Sequence, residues 1–464
     1  GPAAAAACRR RFWSPKGAPD ATPVVVAARR TWVGTAGHGH RALTEVDLAA
    51  AALRATLDDA RAHGVDGDVA DVVLGCCTGP GGDVARVAAL AAGVGVGVPG
   101  LTVDRQCASG LAAVLVAAQQ VRAGEAALVL AGGTESATRS PARAHRTPWG
   151  DVPYARAAFA PVPWADPGMG AAADELARRR GVTRERQEAD ARGTPGPARA
   201  APDAGRHAAA TARAGPPGPA LERDERARRL DPAVVARLSP AFAPDGTVTA
   251  ATSSPVSDGA AVVAVVPEAV RRDLGLAGLR VVASATVGCD PALPGWGPVP
   301  AVRAVLDRAG ARLDDLAAVE VVEAFAAQVL AVTGALGLDP LGDPVDDARV
   351  CADGGALALG HPWGASGAVA VVRLFSRLVR GGARAGTLGP PPAAAGGGPR
   401  AAGRGAGPRR PRARRAPCGG DDGTARPTPR RPHRTPPSRT TPGGAWCGSR
   451  TCTCGSASAT SCAA

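Results

Sequence analysis

The chain has 464 residues, 45% hydrophobic and 3% aromatic, enough for one large or two medium cores built from Ala, Val and Leu. Its formal charge of +13 suggests a nucleic-acid binder, but residues 381–464 hold 14 Arg and no Lys against 2 Asp and no Glu, so almost all the excess lies there. The remainder is near neutral, which excludes a basic nucleic-acid-binding body, and no apolar run reaches the roughly 18 residues that span a bilayer.

The first residues, GPAAAAACRRRFWSPKG, place arginines after a short Ala stretch, the reverse of a signal peptide, and 1–20 read as a disordered extension. Order begins with a buried strand at Val24-Val25-Val26. A helix over 47–63 follows, then a strand at 71–75 (DVVLG), a helix at 83–93 and a strand at 101–103. A third helix runs from Cys107 to about Val121, and a buried strand at 126–131 ends in Gly132-Gly133. Strands alternating with helices of this length predict a mostly parallel sheet covered on both faces. Residues 137–245 break the pattern with Pro, Arg and Gly and read as a large excursion, with helical pieces at 171–180 and 184–191. Strand character returns at 258–266. A second α/β series comprises strand 279–287, helix 299–310, strand 318–322, helix 324–336, a His361 turn and helix 366–380. Beyond about Arg384 the composition is Arg, Pro, Gly, Ser and Thr, which buries too little apolar surface to offset ordering entropy, so 387–464 should be disordered.

Two segments carry the chemistry. In VDRQCASGLAAV (103–114) a cysteine stands after a strand and at the head of a helix, where the positive helix end favours thiolate. In GALALGHPWGASG (355–367) a histidine is held on a Gly-rich turn that can point its imidazole into a cleft. Cys107 and His361 are thus the ingredients of an activated sulfur nucleophile. The other body cysteines, Cys76, Cys77, Cys289 and Cys351, lie in apolar or Gly-rich contexts without disulfide spacing, so the body reads as reduced and cytoplasmic. Cys76 and Cys77 read as core residues. Cys351 reads as a packed thiol, with an acid/base role as the alternative. Cys447, Cys452, Cys454 and Cys462 form no CxxC pair, so no metal is expected. The tail's one aromatic, Trp446, is too few for base stacking, and no specific nucleic-acid partner is expected.

With these residues in place, the chain resembles the thiolases. The resemblance runs from about 22 to 386 through RRTWVG, DRQCASGLAAV, AGGTES, MGAAADELA, DGTVTAATSSPVSDGAA, DPALPGWGPVPA, EAFAAQ and GGALALGHPWGASGA, in that order. It implies an α/β thiolase fold: five layers, αβαβα, from two pseudo-duplicated halves. These would be 21–266, with a loop domain at about 137–245, and an incomplete 267–386. It also implies ping-pong acyl transfer in which Cys107 holds the acyl group. His361 then draws off the thiol proton, with Glu323 and Gly364 in support, and Ser254, Phe325, Met169 and Ala324 contact the acyl-CoA. Substrates would be acyl-CoA and CoA with no cofactor, and the assembly a homodimer or homotetramer away from any membrane.

Three departures stand out. The family's second cysteine, in a Cys-x-Gly-Gly-Gly segment, should fall near 391, where Pro391 stands; the Asn before Glu-Ala-Phe is Val322; and Gly168 and Pro294 replace a common His and Met. A GC-rich gene read out of frame yields this tail's mixture of residues, so the frame is expected to shift near 385–390, and 193–205 is a candidate for a compensated local shift. Three rivals follow: a thiolase-like acyl-CoA-binding pseudoenzyme, motivated by Pro391 and Val322; a ketoacyl-ACP synthase, disfavoured by EAFAAQ and GGALALGHP; and a basic nucleic-acid-binding protein, which rests on the tail alone.

Overall fold

The computed structural model describes residues 19–193, 211–212, 214, 221–226, 230–338, 349–381 and 393–394. All lie in the unit Gly1–Gly403; the second unit is Arg404–Ala464. The chain opens with β1 (Pro23–Thr31) and β2 (Gly34–Thr35), then α1 (Glu45–Ala62), β3 (Asp71–Gly75), α2 (Val84–Ala91), β4 (Gly100–Val103), α3 (Ser109–Arg122) and β5 (Val129–Ser136). Thr44 and Asp47 form a reciprocal capping box that starts α1, and Asp83 caps α2. The excursion supplies the hairpin β6 (Ala144–Thr147) and β7 (Gly150–Pro153), then α4 (Met169–Arg180), α5 (Arg184–Gly193) and β8 (Thr211–Ala212). The second half follows with β9 (Ser257–Pro267), α6 (Glu268–Asp273), β10 (Leu279–Arg280), α7 (Pro298–Ala309), β11 (Val319–Glu320), α8 (Ala326–Leu336), α9 (Trp363–Phe375) and β12 (Ala393–Ala394).

The main sheet has the order β10-β1-β9-β5-β3-β4. It is mixed, not mostly parallel: β3 runs parallel to β4 and β5, whereas β9 is antiparallel to both β5 and β1. The reason is β9, a wholly buried run that re-enters the sheet from the opposite end after the long excursion. Its residues alternate between the two faces with the period of a strand. Ala260, Val262, Ala264 and Val266 pack toward α1 and α2, while Ala261, Val263 and Val265 pack toward α3 and α9. Beyond α9 lies the pair β11–β12, and α7 and α8 close the stack through Leu306 and Leu336 against Leu316 and Val319. These are the expected αβαβα layers, with the second sheet reduced to two described strands. The predicted strand 279–287 shrinks to Leu279–Arg280, which pair with Val25 and Val24; the Val281 N–H still donates to the Pro23 carbonyl at 2.8 Å, where β1 begins and the ladder ends.

In the central layer α3 and α9 approach at glycine spacing. A Cβ on Gly367 would come within 2.6 Å of the Leu111 nitrogen, and one on Gly110 within 2.7 Å of the Gly364 carbonyl oxygen. Only residues without a side chain permit this contact.

The excursion is fastened to β1 and β2 by carboxylates. Asp224, buried, receives both guanidinium nitrogens of buried Arg30 at 2.7 and 2.8 Å and the Val33 N–H at 2.7 Å. Next to it, Glu225 accepts the Thr35 N–H at 2.7 Å. On the other side, α4 packs on α8 through Ala173, Ala177, Val248 and Ala327.

The expected disordered segments lie outside the described residues except at their inner edges, where two corrections apply. Asp20 accepts two hydrogen bonds from Arg272, at 2.6 and 3.1 Å, because that guanidinium lies beside the short turn Pro19–Ala21. Ala393–Ala394 form a strand parallel to β11, because Val319 and Glu320 leave it an open edge. Residues 194–205, within the candidate frame-shift segment, are also outside the described residues.

Candidate active site

The nucleophile turn is built from its own side chains. Asp104 accepts the Gln106 N–H at 2.8 Å; Ser109 Oγ accepts the Arg105 N–H at 2.6 Å and donates to the Gln106 carbonyl at 2.6 Å. These bonds hold Gln106 at φ 49, in the left-handed region that costs a non-glycine residue about 1–3 kcal/mol. The result is a half-buried Cys107 presented ahead of the first turn of α3.

His361 arrives from the other half. Its N–H lies 3.1 Å from the Pro255 carbonyl and 3.2 Å from Ser257 Oγ, which seats it on the segment leading into β9. The ring Nδ1 is 2.7 Å from Ser366 Oγ, one turn into α9, and Nε2 is 3.2 Å from Cys107 Sγ. Sulfur and imidazole therefore meet, as the two motifs predict.

Their protonation differs from expectation. Burial pushes the Cys107 thiol up to about 11; its own backbone N–H pulls it down, and the carboxylates of Glu135 and Asp104 add to the rise. Burial also lowers His361 to about 4. Near neutral pH the pair is thiol and neutral imidazole, not the thiolate expected from the helix end alone. Desolvation and two nearby carboxylates outweigh the helix terminus.

The remaining expected residues form a second group. The Ser254 N–H donates to the Ala324 carbonyl at 3.0 Å, and the Ala324 N–H donates to Gln328 Oε1 at 3.2 Å. Ser253 pairs with Phe325, whose ring meets Phe242 edge-on at 5.8 Å. This loop pair continues through 255–257 to His361, so Ser254, Ala324 and Phe325 belong to one wall. Met169, half-buried, opens α4, the helix that packs on α8 beside Phe325. Gly364 donates its N–H to Glu135 at 2.8 Å.

Glu323 is buried and accepts the Leu357 N–H at 3.2 Å; burial raises its carboxyl above the usual range. Beside it Cys351 Sγ donates to the Val321 carbonyl at 3.3 Å, and burial raises this thiol strongly. Both are packed into the end of β11, near the buried pair Glu320–Arg373 at 3.0 Å.

Two residues escaped the sequence reading. Ser366, the Nδ1 partner, stands five residues after His361 in the same motif, which is the signal that could have found it. Glu135 lies past the predicted strand 126–131, in AGGTES, where only the thiolase resemblance marked the segment; it is fully buried. Among the described residues no three His, Cys, Asp or Glu side chains gather as a metal site would require. No described helix is long and apolar enough to cross a membrane.

Comparison with known proteins accords with this geometry. The profile of "Thiolase, N-terminal domain" matches residues 23–269, and that of "Thiolase, C-terminal domain" matches 276–402. The chain belongs to the thiolase family. It is 39% identical to the acetyl-CoA acetyltransferase of Pseudomonas aeruginosa over 382 residues, covering 78% of this chain and 94% of that one. With the protein of the same name from Cupriavidus necator it shares 37% over 385 residues, again 78% and 94%. The crystal structure of the Bacillus anthracis acetyl-CoA acetyltransferase superposes with a TM-score of 0.69 at 33% identity, covering 78% of this chain and 93% of that one.

The C-terminal thiolase match runs past 386, where the resemblance was expected to stop. It takes in Gly396-Gly397-Gly398, and two residues before that triplet stands Ala394.

Proposed function

We propose that this thiolase is an acetyl-CoA C-acyltransferase working by ping-pong transfer through Cys107, and the observation that carries this is the 3.2 Å contact between Cys107 Sγ and His361 Nε2. Membership of the family gives the reaction class, acyl transfer between CoA thioesters. As Sγ attacks the thioester carbonyl, Nε2 takes its proton; the C–S bond to CoA breaks, and the proton passes to the departing thiolate. A neutral imidazole facing a protonated thiol suits this order of events. In condensation a second acetyl-CoA loses a proton from its α-carbon, which attacks the acyl carbonyl as the bond to Cys107 breaks; in cleavage Sγ attacks the 3-keto carbonyl instead, the C2–C3 bond breaks, the departing acetyl-CoA carbanion takes a proton, and CoA then removes the acyl group from Cys107. The wall of Ser254, Ala324 and Phe325 takes the pantetheine and acyl chain, with Met169 farther out. No metal or redox cofactor enters. A homodimer or homotetramer in the cytoplasm is the expected assembly, and the outer edge of β4, with Leu101 exposed, offers a surface for it.

The test is mass spectrometry of the chain after incubation with acetyl-CoA. A gain of about 42 Da on the Cys107 peptide, absent from Cys107→Ser, is expected. No adduct on Cys107 would overturn the assignment.

A second reading is favoured by Pro391 and Val322, neither of whose side chains can move a proton or hold a water by hydrogen bonding. In it the chain acylates Cys107 and stops. Steady thiolysis of acetoacetyl-CoA would exclude this reading; an adduct without turnover would support it.

A further inference from the structure

Glu135 closes β5, is fully buried, and among the described residues has no ion-pair partner; its carboxylate is answered by hydrogen bonds. Oε1 accepts from the Thr78 N–H at 2.9 Å and the Thr78 hydroxyl at 2.5 Å. Oε2 accepts from the Cys77 N–H at 3.1 Å and the Gly364 N–H at 2.8 Å. One side chain thus ties three backbone segments: the end of β5, the loop after β3 and the head of α9.

Both ends of this clamp lead to the reacting atoms. Gly364 is the second residue of α9, three after His361 and two before Ser366. Its N–H is held by Glu135, and its carbonyl lies against Gly110 of α3 and Gly133 of β5, where any Cβ would collide. At the other end Cys77 Sγ is 3.6 Å from Ser109 Oγ, the hydroxyl that shapes the Cys107 turn. The Cys76 thiol adds a fifth donor, to Oε1 at 3.8 Å, and a buried carboxylate so held is costly to disturb, since each unpaired polar group left behind costs about 1–3 kcal/mol.

We propose that Glu135 is a positioning residue for acyl transfer: by clamping the Gly364 N–H to the Cys77–Thr78 loop it sets the separation of Cys107 Sγ and His361 Nε2. This rests on the reading of Cys107 as acyl carrier. Its negative charge also reaches the sulfur. The titratable groups facing Cys107 are His361, Asp104, Glu135 and Cys77.

The test is Glu135→Gln in the full chain, with two measurements. One is the single-turnover rate of acetyl transfer from acetyl-CoA to Cys107; the other is the pH midpoint of Cys107 alkylation by iodoacetamide without substrate. Transfer is expected to slow about 100-fold, the effect of a misplacement near 1 Å, with the half-saturating acetyl-CoA concentration within about threefold of wild type. The alkylation midpoint is expected to move to lower pH, which a merely structural role would not require. A wild-type rate with an unmoved midpoint would overturn the proposal. If the unsubstituted chain accepts no acetyl group, the acyl-carrier reading fails, and the midpoint still judges Glu135: a shift supports its link to the sulfur and none overturns it. Should Glu135→Gln not fold, Thr78→Val removes the hydroxyl donor and keeps the carboxylate and the Thr78 N–H. That variant is expected to transfer about fivefold more slowly, and an unchanged rate would count against the clamp.

Discussion

Replacing Ser366 by Ala tests how the imidazole is aimed. For Nε2 to accept the Cys107 proton, the ring must carry its own proton on Nδ1, and Ser366 Oγ at 2.7 Å is the acceptor that favours this tautomer. Both side chains are buried, so no water replaces the lost oxygen without rearrangement. Leaving a buried donor unpaired costs about 1–3 kcal/mol, which corresponds to about 5- to 150-fold in rate if the loss falls on the transition state. Ser366 is one turn into α9 on the far side of the ring from Cys107, so acetyl-CoA binding should change little. The expected result is slower acetylation of Cys107, followed by quenched-flow mass spectrometry, with half-saturation near that of wild type. Acetylation at the wild-type rate would refute the assignment of Ser366. Loss confined to acetyl-CoA binding would refute it equally, placing Ser366 on the substrate side of the ring.

Two further outcomes follow from the same geometry. Because burial lowers His361 to about 4, the acid limb of Cys107 acetylation should lie near pH 4 instead of the 6.5 of a free imidazole, measurable from single-turnover rates across pH 3.5–8. The same shift bears on stability: between pH 6.5 and 4 the unfolded chain binds a proton that the folded one refuses. Stability is therefore lost as pH falls through that window, by about 3 kcal/mol, and urea midpoints should show a smaller loss in His361→Asn. Gly367→Ala places a Cβ 2.6 Å from the Leu111 nitrogen, so α3 and α9 must part. About 1–3 kcal/mol of destabilisation is expected in denaturant titration, together with slowed acetylation; a neutral substitution would show that the helices have room to spare.

The layers and the catalytic pair were legible because they depend on local signals. DVVLG is bounded by polar and Gly residues and forms β3 over the predicted span. Cys107 and His361 were read from turns whose glycines remain at the contact between α3 and α9. Strand direction was not legible: β9 is antiparallel because of the route the chain takes through the excursion, and composition does not encode a route. The protonation of Cys107 was not legible either. It depends on burial and on a carboxylate contributed by β5, whereas the sequence displays only the helix that follows the cysteine. Glu135 escaped because its partners, Cys77, Thr78 and Gly364, are brought together only by the packing of three separate segments.

Asp224 and Glu225, adjacent in the chain, grip β1 and β2 through Arg30, Val33 and Thr35. They give the returning polypeptide a fixed landing point on the scaffold. That landing is doubled by β8, which runs parallel to Arg30 and Thr31, and by Ala214 in the core beneath the sheet, so the position of the returning chain and the register of β1 are set together.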